Sequence, residues 1–315
     1  MRKKKISLLI IVGFIIICMA FTIIFMKESS KKEVQLTSNE PDENGLYYAE
    51  DYVFTKMEPY EDIYVHKMSE KLNETYDTLL NAGMKVYYSV IPDKGYFIEN
   101  PSFTKENYNS MLDILINEVE NMKYIPIIEQ LSITDYYKTD HHWRQEKLFP
   151  VVKQIGKYMD FDIKKTNFTQ NIIHDFHGVH SKFFDEIPKE SLIYMTSKET
   201  EDAIVEIYEE DQYQGVYFPQ ELEGKEPYNV FLKGLSPLIT ITNPQASNER
   251  ELIVFGDSYS RSIVPLLLEA YSKITIIDLR FMPAFYLPEV MEFTTQDVLF
   301  LYSTSVINRS AMLKF

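Results

Sequence analysis

Two stretches of this chain, residues 61–128 and 251–302, alternate helix-spaced apolar positions with short runs of consecutive apolar residues, and that alternation restricts the fold more than any other feature. From Glu61 to Asn81 the side chains Ile63, Met68, Leu72, Tyr76, Leu79 and Leu80 fall mostly at helical spacing, and Gly83 follows as a stop. Residues 84–91, closed by Pro92, read as a buried strand. Met111, Leu112, Leu115, Ile116, Val119 and Met122 write a second helix, and a short apolar run follows at 124–128. Helix, strand, helix, strand is the order of a parallel sheet with helical crossovers. The pattern resumes with ELIVF (251–255), a helix from Ser260 to about Tyr271, ITIIDL (274–279) and DVLFLY (297–302), so both stretches are expected in one α/β sheet. Residues 145–159 read as another helix. From about 162 to 245, short β-rich runs such as 203–208 and 230–231 lie among Pro, Gly and Asn, as an insertion or meander would.

Ahead of this lies a different signal. Four cations, Arg2 to Lys5, precede an uncharged run from Ile6 to Phe25 that as a helix spans about 30 Å, the thickness of a hydrocarbon core. Retention of the cations in the cytoplasm places the remainder outside. A cleavable signal peptide would carry a shorter apolar region and a small-residue site, whereas Phe21, Ile23, Ile24 and Phe25 continue to the end. Bulky Ile17 before Cys18 does not fit a lipidation site. The expected organisation is a tail and anchor at 1–26, a flexible linker at 27–45 and an extracytoplasmic domain at 46–315, with the membrane met through the N-terminal helix.

Cys18 is the only cysteine, so the exported part contains no disulfide and depends on packing. Removing the four N-terminal cations from a formal charge of −15 leaves −19, which excludes nucleic acid as a partner in the absence of a basic face.

The sharpest chemical feature is ELIVFGDSYSRS, a strand ending in Gly256-Asp257-Ser258 and running into a helix. A serine at the carboxyl end of a parallel strand lies where such sheets place ligands. Turn amides at Gly256 and Asp257 could face an oxyanion, and the glycine would let substrate approach the backbone. Read alone, Asp257, Ser258 and Ser260 are also ordinary capping residues. A nucleophilic serine needs a base and an orienting acid, and YYKTDHHWRQE (136–146) contains both types. In an extended segment Asp140 and His142 would share a side and His141 would point away. Either histidine alone is as well explained by a hydrogen-bonded cluster beside Trp143.

TDHHW with FGDSYS downstream resembles the DHHW proteins, a group related to the alginate O-acetyltransferase-like (AlgX/AlgJ-like) branch of the SGNH hydrolases. The resemblance covers most of residues 80–305, including IPDKGYF (91–97), FHGVHSKF (176–183), YNVFLKGLSPLITITN (228–243) and IIDLRF (276–281). It implies a flavodoxin-like, SGNH hydrolase-like parallel sheet with helices on both faces and a β-rich insertion. It also implies Ser258 as nucleophile, His142 as base and Asp140 as orienting acid. The separate Gly and Asn blocks of the SGNH oxyanion hole are not evident, and Asn308 is a candidate by residue type only. Lys94, Tyr96, Arg280 and Arg309 lie in or near family-like segments as possible substrate contacts or ordinary surface residues.

His174, His177 and His180 suggest a metal with Asp175, Asp140 and His141, yet successive steps of three drift by about 60° on a helix, and HExxH is absent. The Asp-rich metal motifs of the DHH phosphoesterases are missing too. No metal and no cofactor are expected. The reading is a membrane-anchored envelope O-acyltransferase or esterase acting on a glycan or other acylated substrate, with a membrane acyl-donor protein as possible partner. The alternative is a noncatalytic envelope protein that binds a polymer or partner with the same fold.

Overall fold

The computed structural model describes residues 34–98 and 102–314. The apolar run at 6–25 lies outside them, and no helix among the described residues is long and apolar enough to cross a membrane. Ordered contacts begin ahead of Leu46: Leu36 bridges Ala49, and the Asp42 carboxylate accepts the amides of Asn44 and Leu46. A hairpin of β1 (Leu46–Ala49) and β2 (Tyr52–Thr55) follows, then α1 (Asp62–Leu79) and β3 (Lys85–Ile91). Helix α2 (Lys105–Glu118) starts at a reciprocal Thr104–Asn107 capping box. The 124–128 run yields only a two-residue strand, β4 (Lys123–Tyr124), and α3 (Phe149–Met159) opens with a proline in its first turn.

Residues of the expected insertion take two routes. Strands β5 (Thr169–Ile173) and β6 (Leu192–Thr196) pair with each other, whereas β7 (Ile204–Ile207), β8 (Gln212–Gln214) and β9 (Leu238–Thr242) join the main sheet. Residues 230–231 form no strand: Val230 ends a short 3-10 turn and Phe231 makes one bridge to Tyr217. Then come β10 (Glu251–Gly256), β11 (Lys273–Ile277) and β12 (Asp297–Ser303). The helix expected from Ser260 is α-helical only to Ile263 and continues as 3-10 through Ala270, with Pro265 early in the second part.

The main sheet runs β4-β3-β12-β10-β11-β9-β7-β8. Its first five strands are mutually parallel and its last three antiparallel. The two α/β stretches therefore do build one sheet, with β12 of the second paired to β3 of the first. Alternation along each strand splits the core between its faces. Leu252, Val254, Leu299 and Leu301 pack with α3 and residues 263–270, while Ile253, Phe255, Val298 and Phe300 pack with α1 and α2. Phe255 and Phe300, register partners, stack at 4.6 Å.

Strand β10 connects outward to β11 on one side, and β12 returns on the other. The carboxyl ends of β10 and β12 thus flank a topological switch point. Gly256 pairs there with Leu301, and a Cβ on it would sit 2.9 Å from the Leu301 carbonyl oxygen and 3.0 Å from the Ser260 Cβ. What the glycine admits is the neighbouring strand and turn rather than a substrate. Gly256→Ala is expected to lower stability by about 1–3 kcal/mol through overpacking, read as an earlier midpoint in urea; an unchanged midpoint would show that the turn yields freely.

Candidate active site

Four parallel strands deliver side chains to one cavity of about 430 Å³ beyond their carboxyl ends. After β10 come Asp257, Ser258 and Tyr259; after β12, Ser305 and Val306; after β3, Asp93 and Lys94; after β11, Arg280. Ser258 occupies the turn between β10 and the short helix and is half-buried. Asp257 ties this turn down, since its carboxylate accepts the Tyr259 amide at 3.0 Å and the Ser303 amide at 2.8 Å.

The Asp140–His142 segment is not extended. It is a tight loop in which Asp140 Oδ1 accepts both the His142 amide (3.0 Å) and a proton on His142 Nδ1 (2.7 Å). His142 Nε2 lies 2.8 Å from Ser258 Oγ. Because the segment turns, the two-residue alternation of a strand does not apply. His141 accordingly does not point away: its ring lies 3.9 Å from that of His142, and it lines the cavity.

Several groups hold this arrangement in place. The Trp143 indole donates to the Tyr259 carbonyl (3.1 Å) and to Ser262 Oγ (2.8 Å), fastening the histidine loop to the serine turn. The Tyr228 ring stacks on His142 at 3.7 Å with 4° between planes, and its hydroxyl donates to Ser262 Oγ at 2.7 Å. Val179 donates its amide to Asp140 Oδ2 at 3.2 Å. Glu190 accepts the amides of Lys138 and Thr139. Lys94, 1% exposed, aims its ammonium at the carbonyl oxygens of Tyr137 (2.9 Å), Lys138 (3.1 Å) and Asp140 (2.7 Å). Tyr228, Val179 and Glu190 all come from the segment expected as an insertion, so that segment completes the site. Their identity was not evident in the sequence, because each acts through a contact distant along the chain.

The electrostatics follow from burial. Burial alone would raise the Asp140 carboxyl, but the adjacent imidazoles and the His142 hydrogen bonds prevail and hold it well below the ordinary carboxylate range. Burial pulls His142 below its usual value despite Asp140, leaving a neutral imidazole that can accept a proton. Burial likewise pulls Lys94 down to about 8, against the nearby carboxylates.

Other sequence candidates separate. Asn308 is buried outside the cavity lining, where its amide donates to the Glu58 and Pro59 carbonyls. Arg309 pairs with Glu58, and Tyr96 packs edge-on against Phe97 and Tyr108. His174, His177 and His180 do not converge: His174 lies near Ser191, His177 lines another cavity, and His180 lines this one. Among the described residues the grouping of metal-type donors is Asp140, His141 and His142, and of these Asp140 is already hydrogen-bonded to His142 Nδ1, whose Nε2 meets Ser258 Oγ.

No family model matches the chain, and no curated protein matches it. Solved structures do. A DHHW family protein from Eubacterium siraeum aligns with a TM-score of 0.69 at 18% identity, over 86% of this chain and 97% of that one. Bacillus cereus PatB1 aligns at 0.65 and 20%, over 83% and 96%, and its structure with a sulfonyl adduct at 0.64 and 19%, over 90% and 100%. The fold is thus similar to that of a DHHW family protein, as the TDHHW and FGDSYS segments suggested.

Lys94→Met would take a donor from the buried Tyr137 and Asp140 carbonyls and from that of Lys138, which keeps the Val53 amide. A loss of about 3 kcal/mol or more is expected, measured by chemical denaturation; an unchanged midpoint would show that the ammonium contributes nothing to the loop.

Proposed function

We propose that the protein is a membrane-anchored, extracytoplasmic serine esterase or O-acyltransferase of SGNH-like fold that removes or adds an O-acetyl group on a cell-envelope or exopolysaccharide glycan. The observation that supports this most is the hydrogen-bonded chain from Ser258 Oγ to His142 Nε2 (2.8 Å) and from His142 Nδ1 to Asp140 Oδ1 (2.7 Å), opening on a cavity. A noncatalytic protein would have no need of that alignment, and a separation beyond about 6 Å would have favoured one.

Strand order supports the finer fold reading. Counted from β10 as first strand and continuing past the chain end to β3 and β4, the parallel block runs 2-1-3-4-5, the flavodoxin-type order. The Asp-x-His loop then follows the fifth strand, where an ordinary SGNH hydrolase, with Asp and His after its serine, would carry it. A circular rearrangement thus accounts for the pair preceding the serine in this sequence.

In the proposed reaction Ser258 Oγ attacks the acyl carbonyl carbon while His142 Nε2 takes the hydroxyl proton, and Asp140 holds the imidazole in the tautomer protonated on Nδ1. Backbone amides of the turn beginning at Gly256 and Asp257 serve the oxyanion. Collapse expels the alcohol, which leaves with the proton from His142. Water then attacks the acyl-enzyme in an esterase and a glycan hydroxyl in a transferase. If the 6–25 segment stays in the membrane, the linker left ahead of the Leu36–Ala49 bridge, about nine residues with a reach of roughly 17 Å if flexible, confines the domain to the surface. Cytosolic acyl donors then lie across the bilayer, so transfer requires a membrane partner that delivers the acyl group, and hydrolysis does not.

The full-length protein in detergent should hydrolyse p-nitrophenyl acetate, and Ser258→Ala should lower kcat by about a thousandfold or more; an unchanged rate would remove Ser258 as nucleophile. Because His142 sits below the ordinary value of about 6.5, it remains a free base to lower pH, so the acid limb of kcat/KM should fall below that value. A limb at or above it would contradict the assignment.

A further inference from the structure

The cavity wall carries two cations, and both are committed. The Lys94 ammonium has three N–H donors, and three backbone carbonyls lie within 2.7–3.1 Å of it. Arg280 forms a two-point pair with Asp278, Nε to Oδ1 at 2.9 Å and Nη2 to Oδ2 at 2.6 Å, which neutralises it. Arg261 is buried and not among the lining residues.

Carboxylates outnumber these cations on the wall itself, where Asp93, Asp257 and the exposed Glu226 face two committed cations; Asp140 and Asp278, like Arg261, lie outside the lining. The two wall histidines add little charge, since desolvation, with the Lys94 ammonium acting the same way, pulls both below the usual value. The rest of the wall includes apolar Phe54, Met57, Val179 and Val306.

We infer that this cavity takes an uncharged ligand, an ester- or hydroxyl-bearing segment, and refuses segments bearing carboxylate, sulfate or phosphate. An anion entering here would lose water without gaining a counter-ion and would face Glu226. The glycan segment acetylated or deacetylated is on this account a neutral one, whatever the charge of the polymer elsewhere. The inference rests on the proposed reading of Ser258, which serves as its reporter.

The test compares labelling of the full-length protein by benzenesulfonyl fluoride and by 4-(fluorosulfonyl)benzoate. In each case Ser258 Oγ bonds to sulfur, fluoride leaves and the hydroxyl proton passes to His142. With rates normalised to each reagent's reaction with free imidazole, the neutral reagent should label Ser258 at least about tenfold faster, a difference of about 1.4 kcal/mol. Equal or faster labelling by the carboxylate reagent would overturn the inference while leaving the nucleophile intact. Labelling by neither reagent would remove the nucleophile and the inference with it.

Discussion

A carboxylate with no access to water must be satisfied by the protein around it, and the site is arranged to satisfy Asp140. Fully buried, it receives the amide and ring of His142 on one oxygen and the Val179 amide on the other, while its own carbonyl is held by Lys94. Left unpaired, such a charge would cost several kcal/mol or revert to the neutral acid. Pairing it also fixes the tautomer and direction of His142, so the requirement that stabilises the loop also aims the imidazole at Ser258. Trp143 and Tyr228 reach the same serine hydroxyl, Ser262 Oγ, from two sides and prevent the loop and the serine turn from drifting apart.

The sheet determines where this can happen. Parallel strands β3, β10, β11 and β12 end together, and their carboxyl ends supply the floor of the cavity. The segment between α3 and β10 extends the sheet by three antiparallel strands and then sends Val179, His180, Glu190 and Tyr228 back over the histidine loop. Two structural tasks are thereby met by one stretch of chain.

Much of this was legible because it is local. Strands β3, β10, β11 and β12 are buried on both faces and read as continuous apolar runs, and Asp140 with His142, like Gly256 to Ser258, are near neighbours in sequence. His141 was misplaced because side-chain alternation presumes an extended backbone, and a carboxylate that caps its own loop bends it. The run at 203–208 does form β7, whereas β8 left no signal because it lies at the sheet edge and is largely polar Gln212, Tyr213 and Gln214. Lys94 and Tyr228 stand in family-like segments, Lys94 as a possible substrate contact, but nothing local marks their roles: an ammonium meeting carbonyls of a remote loop, and a ring stacked on a remote imidazole, look in sequence like any lysine and tyrosine. Asn308 shows the converse, a plausible residue type that folding assigns to holding the chain at Glu58 and Pro59.

The claim on which the account stands is that Ser258 becomes acylated. Full-length protein incubated with p-nitrophenyl acetate and quenched in acid should gain the mass of one acetyl group, and peptide mapping should place it on Ser258. An acetyl group found elsewhere, or none while ester is still being consumed, would contradict the account.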